Sequence, residues 1–212
     1  MLRADPFELC QKLTCKSRIK LKFVLTIPTL IIVIMVTAGG PVFGLDPDSN
    51  PLPSSTAVEA LYAAIDDPAA IESAEQTLQH SQSPAPAKQM YAAVLKSLRA
   101  QSSFWPVKRM RLIQEALAEM DAALGQDPQN YEFRMLRAST WYDLPSFFNK
   151  RAAAQAELEQ LVAGFDAESA VYSDKQRRHW LNFFLENHLS GSHEAPFREL
   201  FVKLGGNLKD LY

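Results

Sequence analysis

His80, His179, His188 and His193 are the only histidines in the chain, and Cys10 and Cys15 are its only cysteines. His188 and His193 flank a Ser190-Gly191-Ser192 turn, with Glu194 beside them. Two imidazoles and a carboxylate are ordinary zinc ligands, so this turn is one place where a metal could be held. The competing reading is a pair of exposed histidines at a helix end, where the dipole favours them. His179 and His188 are too far apart in sequence to share a helical face at ligand spacing. Cys10-x4-Cys15 has no histidine nearby and makes a weak zinc pattern. The carboxylate pairs Glu115/Glu119 and Glu157/Glu159 read as solvated helix faces rather than as acid–base dyads. No phosphate-cradling glycine loop, nucleophile elbow, zinc-protease helix or dinucleotide fingerprint occurs. The expectation is a chain that is not an enzyme and uses no cofactor or metal.

Arg134, Arg137 and Trp141 fall on one helical stripe, in steps of three and four. Two guanidinium groups beside an indole can clamp a carboxylate and stack on an acidic peptide. The alternative is that each arginine pairs with a carboxylate of a neighbouring helix, such as Glu115 or Glu157. Leu144-Pro145-Ser146-Phe147-Phe148 is an apolar turn. Its two phenylalanines either cap the interior or form an exposed patch for a partner. Arg134, Arg137, Trp141, Phe147 and Phe148 are therefore the candidate partner-binding residues.

The elements that must position them follow from charge and periodicity. Residues 1–22 carry six basic groups against Asp5 and Glu8, residues 23–45 carry no charge, and the remainder has 16 basic and 22 acidic side chains. A basic head, an apolar bar and an acidic body describe an export topology. The bar reads either as a signal-peptide core cleaved near Ala38 or as a single transmembrane anchor with its N-terminus in the cytoplasm. In both cases the body lies outside the cytoplasmic membrane, in the periplasm or beyond. An acidic body with a formal net charge of −2 for the whole chain argues against nucleic-acid binding. Four prolines within residues 41–55 mark a linker, placed at 46–55, ahead of a helical domain over 56–212.

Past the linker, proline and Asp/Ser/Asn caps divide the chain into helices expected near 55–65, 68–80, 86–101, 106–124, 129–142, 149–163, 173–189 and 194–204. Gly125 and Gly164 are expected to stop the fourth and sixth helices, and Gly205-Gly206 the eighth. The fourth carries an apolar stripe through Met110, Ile113, Leu117, Met120 and Leu124. Trp180, Phe183 and Phe184 form an aromatic face on the seventh, expected to be core. No run of β-branched residues alternates with polar ones, so strands are not expected.

Ala116-x3-Met120-x2-Ala123-x4-Pro128 resembles the second helix of a tetratricopeptide repeat, where small, large apolar, small and proline positions recur at these spacings. The small residues let two helices approach, the large one fills the groove, and the proline opens the next repeat. The segment 129–163 also resembles a hairpin of this family, with departures. Arg134 and Arg137 stand where Trp and Leu are usual, Ala138 replaces Gly, Trp141 takes a Tyr place, and Leu144–Phe148 lengthens the turn. Ala154 and Leu158 resume the small and large positions. The resemblance spans about residues 97–165. It implies an all-α fold of antiparallel helical hairpins stacked as a short array, and a groove that binds a peptide or partner protein.

The sequence thus leads to an exported, non-catalytic adaptor or scaffold module of the cell envelope with an unidentified protein or peptide partner. It contacts the membrane through residues 23–45 if these are retained. Two rivals remain: a small-ligand binder with a pocket near the Phe147-Phe148 loop, and an accessory subunit of an envelope enzyme.

Overall fold

The structure, a computed structural model, describes residues 53–211. The basic head, the apolar bar and most of the linker lie outside the described residues. Among the described residues there are eight α-helices and no strand: α1 (Ser55–Asp66), α2 (Ile71–His80), α3 (Ala85–Gln101), α4 (Pro106–Gln126), α5 (Tyr131–Asp143), α6 (Arg151–Glu168), α7 (Asp174–Glu186) and α8 (Glu194–Lys203). None of them is long and apolar enough to cross a membrane.

Local chemistry sets most of the boundaries. Proline occupies the first turn of α3 and α4, where its missing N–H would have no helical partner. The Asn130 side chain caps α5 by accepting from the Phe133 amide at 3.1 Å. Ser173 and Gln176 form a reciprocal capping box at the start of α7.

Four boundaries differ from the sequence expectation. Helix α4 runs through Gly125, and α6 runs through Gly164 to Glu168. Neither glycine takes a left-handed conformation. Helix α4 stops instead at Asp127, whose backbone leaves the helical region ahead of Pro128 (φ −145°, ψ 74°). The expected second helix divides: a 3-10 turn at Pro68–Ala70 is capped by Asp67 before α2 begins. Helix α7 ends at Glu186, ahead of the left-handed His188 at φ 54°.

Consecutive helices pair as hairpins. The α3/α4 contact is the most extensive, followed by α5/α6, α1/α2 and α2/α3, with α7/α8 and α4/α5 lighter. The odd-numbered helices α1, α3, α5 and α7 meet around a common interior and start at the same end of it. At that end the Ser54 amide, before α1, donates to Ser83 Oγ, before α3. The Tyr172 hydroxyl, before α7, reaches Asn130 at the start of α5. The small residues Ala116, Ala123, Ala138 and Ala154 are fully buried, which lets their helices approach closely.

Trp180 and Phe184 lie in the core as expected, and Phe183 packs against it half-buried. Phe184 and Phe165 meet Phe197 of α8 at ring separations of 6.0 and 5.1 Å, which docks the last helix. A Cβ at Gly206 would lie 2.4 Å from the Phe201 ring, so the chain after α8 needs glycine there.

Candidate functional site

The interior between α1, α3, α5 and α7 holds a buried carboxylate. Glu132, in the first turn of α5, is 1% exposed. Its Oε1 accepts from the Tyr62 hydroxyl at 3.3 Å and from Gln176 Nε2 at 2.8 Å. Its Oε2 accepts from the Tyr91 hydroxyl at 2.8 Å. Trp180 Nε1 in turn donates to the Tyr62 oxygen at 2.8 Å. One residue thus ties the four inner helices together through neutral donors. Among the described residues no cation contributes to this cage. Burial pushes the Glu132 carboxyl up to about 7, against the lowering effect of the three hydrogen bonds. Burial and the adjoining carboxylate also push the Tyr62 and Tyr91 phenols well up, so both remain protonated donors.

Cavities flank this cage at both ends of the inner helices. At the N-terminal end, about 180 Å³ lies above Glu132 between Val58, Val171, Tyr172 and Gln176. At the C-terminal end, a mouth of about 100 Å³ receives side chains from all four inner helices. Ile65 comes from α1, Val94 and Leu98 from α3, Met135 and Leu136 from α5, and Trp180 and Phe183 from α7. The polar members are Ser97, Gln101, Ser139, Thr140, Asp143 and His179. The Ser97, Ser139 and Thr140 hydroxyls donate to carbonyls of their own helices, so each presents only its acceptor side to the space. Asp143 stands at the exposed rim. Loss of solvent raises its carboxyl above the ordinary aspartate range, opposed by Arg151. Apolar walls with one acid at the rim suit an apolar group carrying a nearby positive charge.

Arg134 and Arg137 do not face this interior. They turn toward α6, where Glu157 accepts from Arg134 Nε at 3.4 Å and from Arg137 Nη2 at 2.7 Å. Arg137 also reaches Asp121 of α4 at 3.1 Å. Trp141, largely buried, lies between the Arg137 and Lys150 cations, each 4.4 Å from its ring centre. The stripe is therefore occupied by internal pairs, with Glu157 as the acceptor. Phe147 and Phe148 divide between the two readings of their turn: Phe147 is 68% exposed, whereas Phe148 packs against the core.

Among the described residues no group of three or more His, Cys, Asp or Glu is arranged to hold a metal ion. His188 is exposed and His193 packs on Phe197 at 5.6 Å. His179 contacts the Tyr62 ring edge-on and lies 3.4 Å from Asp66, whose carboxyl this hydrogen bond holds below its usual range.

Sequence reasoning did not single out Glu132, Tyr62, Tyr91 or Gln176. A glutamate in the first turn of a helix ordinarily reads as a solvated charge complementing the dipole. Its flanking Tyr131 and Phe133, both buried, are the one local hint that this turn points inward. No protein-family model, curated protein or solved structure matches the chain.

Proposed function

We propose that this protein is a non-catalytic, tetratricopeptide-like interaction module that captures a short partner segment at the C-terminal mouth of its inner helices. The observation that carries the reading is the mouth itself, an apolar-walled cavity to which α1, α3, α5 and α7 all contribute. Its volume of about 100 Å³ falls below the several hundred Å³ of a typical metabolite pocket and suits one side chain. The occupant is an apolar side chain of a peptide, with a neighbouring lysine, arginine or free amine near Asp143. The hairpin order α1/α2, α3/α4, α5/α6 and α7/α8 supports an array of this kind.

The charge distribution of the sequence supports an extracytoplasmic setting for the module. Residues 23–45 then act as a cleaved signal or as a single membrane anchor. The binding claim is tested by selecting displayed random peptides on the full chain and counter-selecting on Ser139→Trp, which plugs the mouth. Enrichment of apolar–basic peptides that bind the wild type and not the plugged variant supports the reading. Selected peptides that bind both proteins equally refute it.

A further inference from the structure

The turn between α3 and α4 is the most exposed apolar feature among the described residues. Phe104 is 88% exposed, Trp105 70% and Val107 85%. Phe104 and Trp105 touch one another edge-to-face at 6.0 Å. The turn is held rather than loose. Arg109 Nη2 donates to the Ser103 carbonyl at 2.8 Å and to the Gln101 carbonyl at 3.3 Å, and Pro106 opens α4 directly behind the indole. The aromatics are therefore displayed at a turn with a built backbone, where they find no apolar cover among the described residues.

The sequence around this tip is locally basic. Residues 99–114 contain Arg99, Lys108, Arg109 and Arg111 and no acid, within a body of 16 basic and 22 acidic groups. Arg99 is engaged by Glu75, and Arg111 lies 3.6 Å from Glu115. Among the described residues Lys108 makes no ion pair, and Arg109 bonds only to backbone carbonyls. Two uncompensated cations thus stand immediately behind a Phe-Trp-Pro-Val tip.

We propose that Phe104, Trp105 and Val107 insert into the interfacial layer of an anionic lipid bilayer, with Lys108 and Arg109 on the headgroups. The interfacial layer of a bilayer accepts an exposed aromatic pair of this kind without a partner of matching shape. Tryptophan prefers that layer because its ring is apolar and its N–H is not. Basic side chains beside it gain from an anionic surface. The inference concerns a different surface from the mouth. It holds whether or not residues 23–45 stay attached.

The test uses the full chain with vesicles of phosphatidylcholine, with and without phosphatidylglycerol, and with or without brominated acyl chains. Trp141 and Trp180 are buried, so the emission lost in Trp105→Phe reports the tip. With phosphatidylglycerol present, that emission should shift to the blue, be quenched by brominated chains and be shielded from aqueous iodide. Lys108→Ala should require about fivefold more anionic vesicle to reach half-quenching, the worth of one basic side chain near such a surface. Trp105 that stays open to iodide and unaffected by brominated chains would overturn the proposal. So would equal quenching in uncharged vesicles, or iodide shielding that arises without lipid, which would mean that protein covers the tip.

Discussion

Glu132→Gln isolates the electrostatic cost of the buried carboxylate. Glutamine has the size and neutrality of protonated glutamate and keeps one oxygen for Tyr62 and Gln176. In the folded protein the Glu132 carboxyl lies at about 7 instead of 4.5. The folded state therefore holds a proton that the unfolded chain has already released in that window. Stability from this group is full below pH 4.5, is lost as pH rises toward 7, and is flat above. A shift of this size corresponds to about 3 kcal/mol, at about 1.4 kcal/mol per pH unit. The variant should match the wild type near the acid end and exceed it by about 3 kcal/mol above pH 8. For a body of this length that is roughly 6–12 °C in melting temperature. The assay is urea unfolding of both proteins at a series of pH values, read as a difference so that other titrating groups cancel. Parallel curves, or a wild type that gains on the variant as pH rises, would refute the reasoning, because an unrecognised cation or solvent path would then be satisfying the charge.

Five further outcomes are expected. Gly125→Ala should stabilise α4 by about 0.5–1 kcal/mol in chemical denaturation, since the glycine is helical and its added methyl meets nothing within 4 Å. Gly206→Ala should destabilise by about 1–3 kcal/mol in the same experiment, because its Cβ collides with Phe201. Ser173→Ala should cost about 1 kcal/mol through loss of the α7 cap, with hydrogen exchange accelerated first in the opening turn of that helix. Glu157→Gln should cost about 1–3 kcal/mol in thermal unfolding, as it leaves Arg134 and Arg137 without their shared carboxylate. Asp121→Asn, removing a half-exposed partner of Arg137, should cost less than about 1 kcal/mol.

How much of this was legible beforehand depended on whether a residue's role was local. The all-α class and most helix limits followed from caps and apolar spacing, which act within a few residues. Gly125 and Gly164 misled because glycine ends a helix where the chain turns left-handed, and neither does so here. The Arg134/Arg137 stripe was visible, and its pairing with Glu157 was one of the two readings its spacing allowed. Glu132 was not visible, because its three partners lie 41 to 70 positions away along the chain. The mouth escaped for a related reason: its walls are ordinary core residues of four helices, and only their convergence leaves a space. Phe147 and Phe148 could not be told apart in sequence, since one buries and the other does not by virtue of the turn they share.

The central claim is that the mouth of the inner helices holds a partner's side chain. It is tested most directly by amide resonance mapping of the full chain with a peptide selected on it. Binding should move resonances at Leu98, Ser139, Asp143 and Phe183 in a saturable way. Those shifts should vanish in Ser139→Trp, and Asp143→Asn should weaken peptides carrying a basic residue. Shifts centred instead on Arg134, Arg137 and Trp141, and persisting in the plugged protein, would contradict the account.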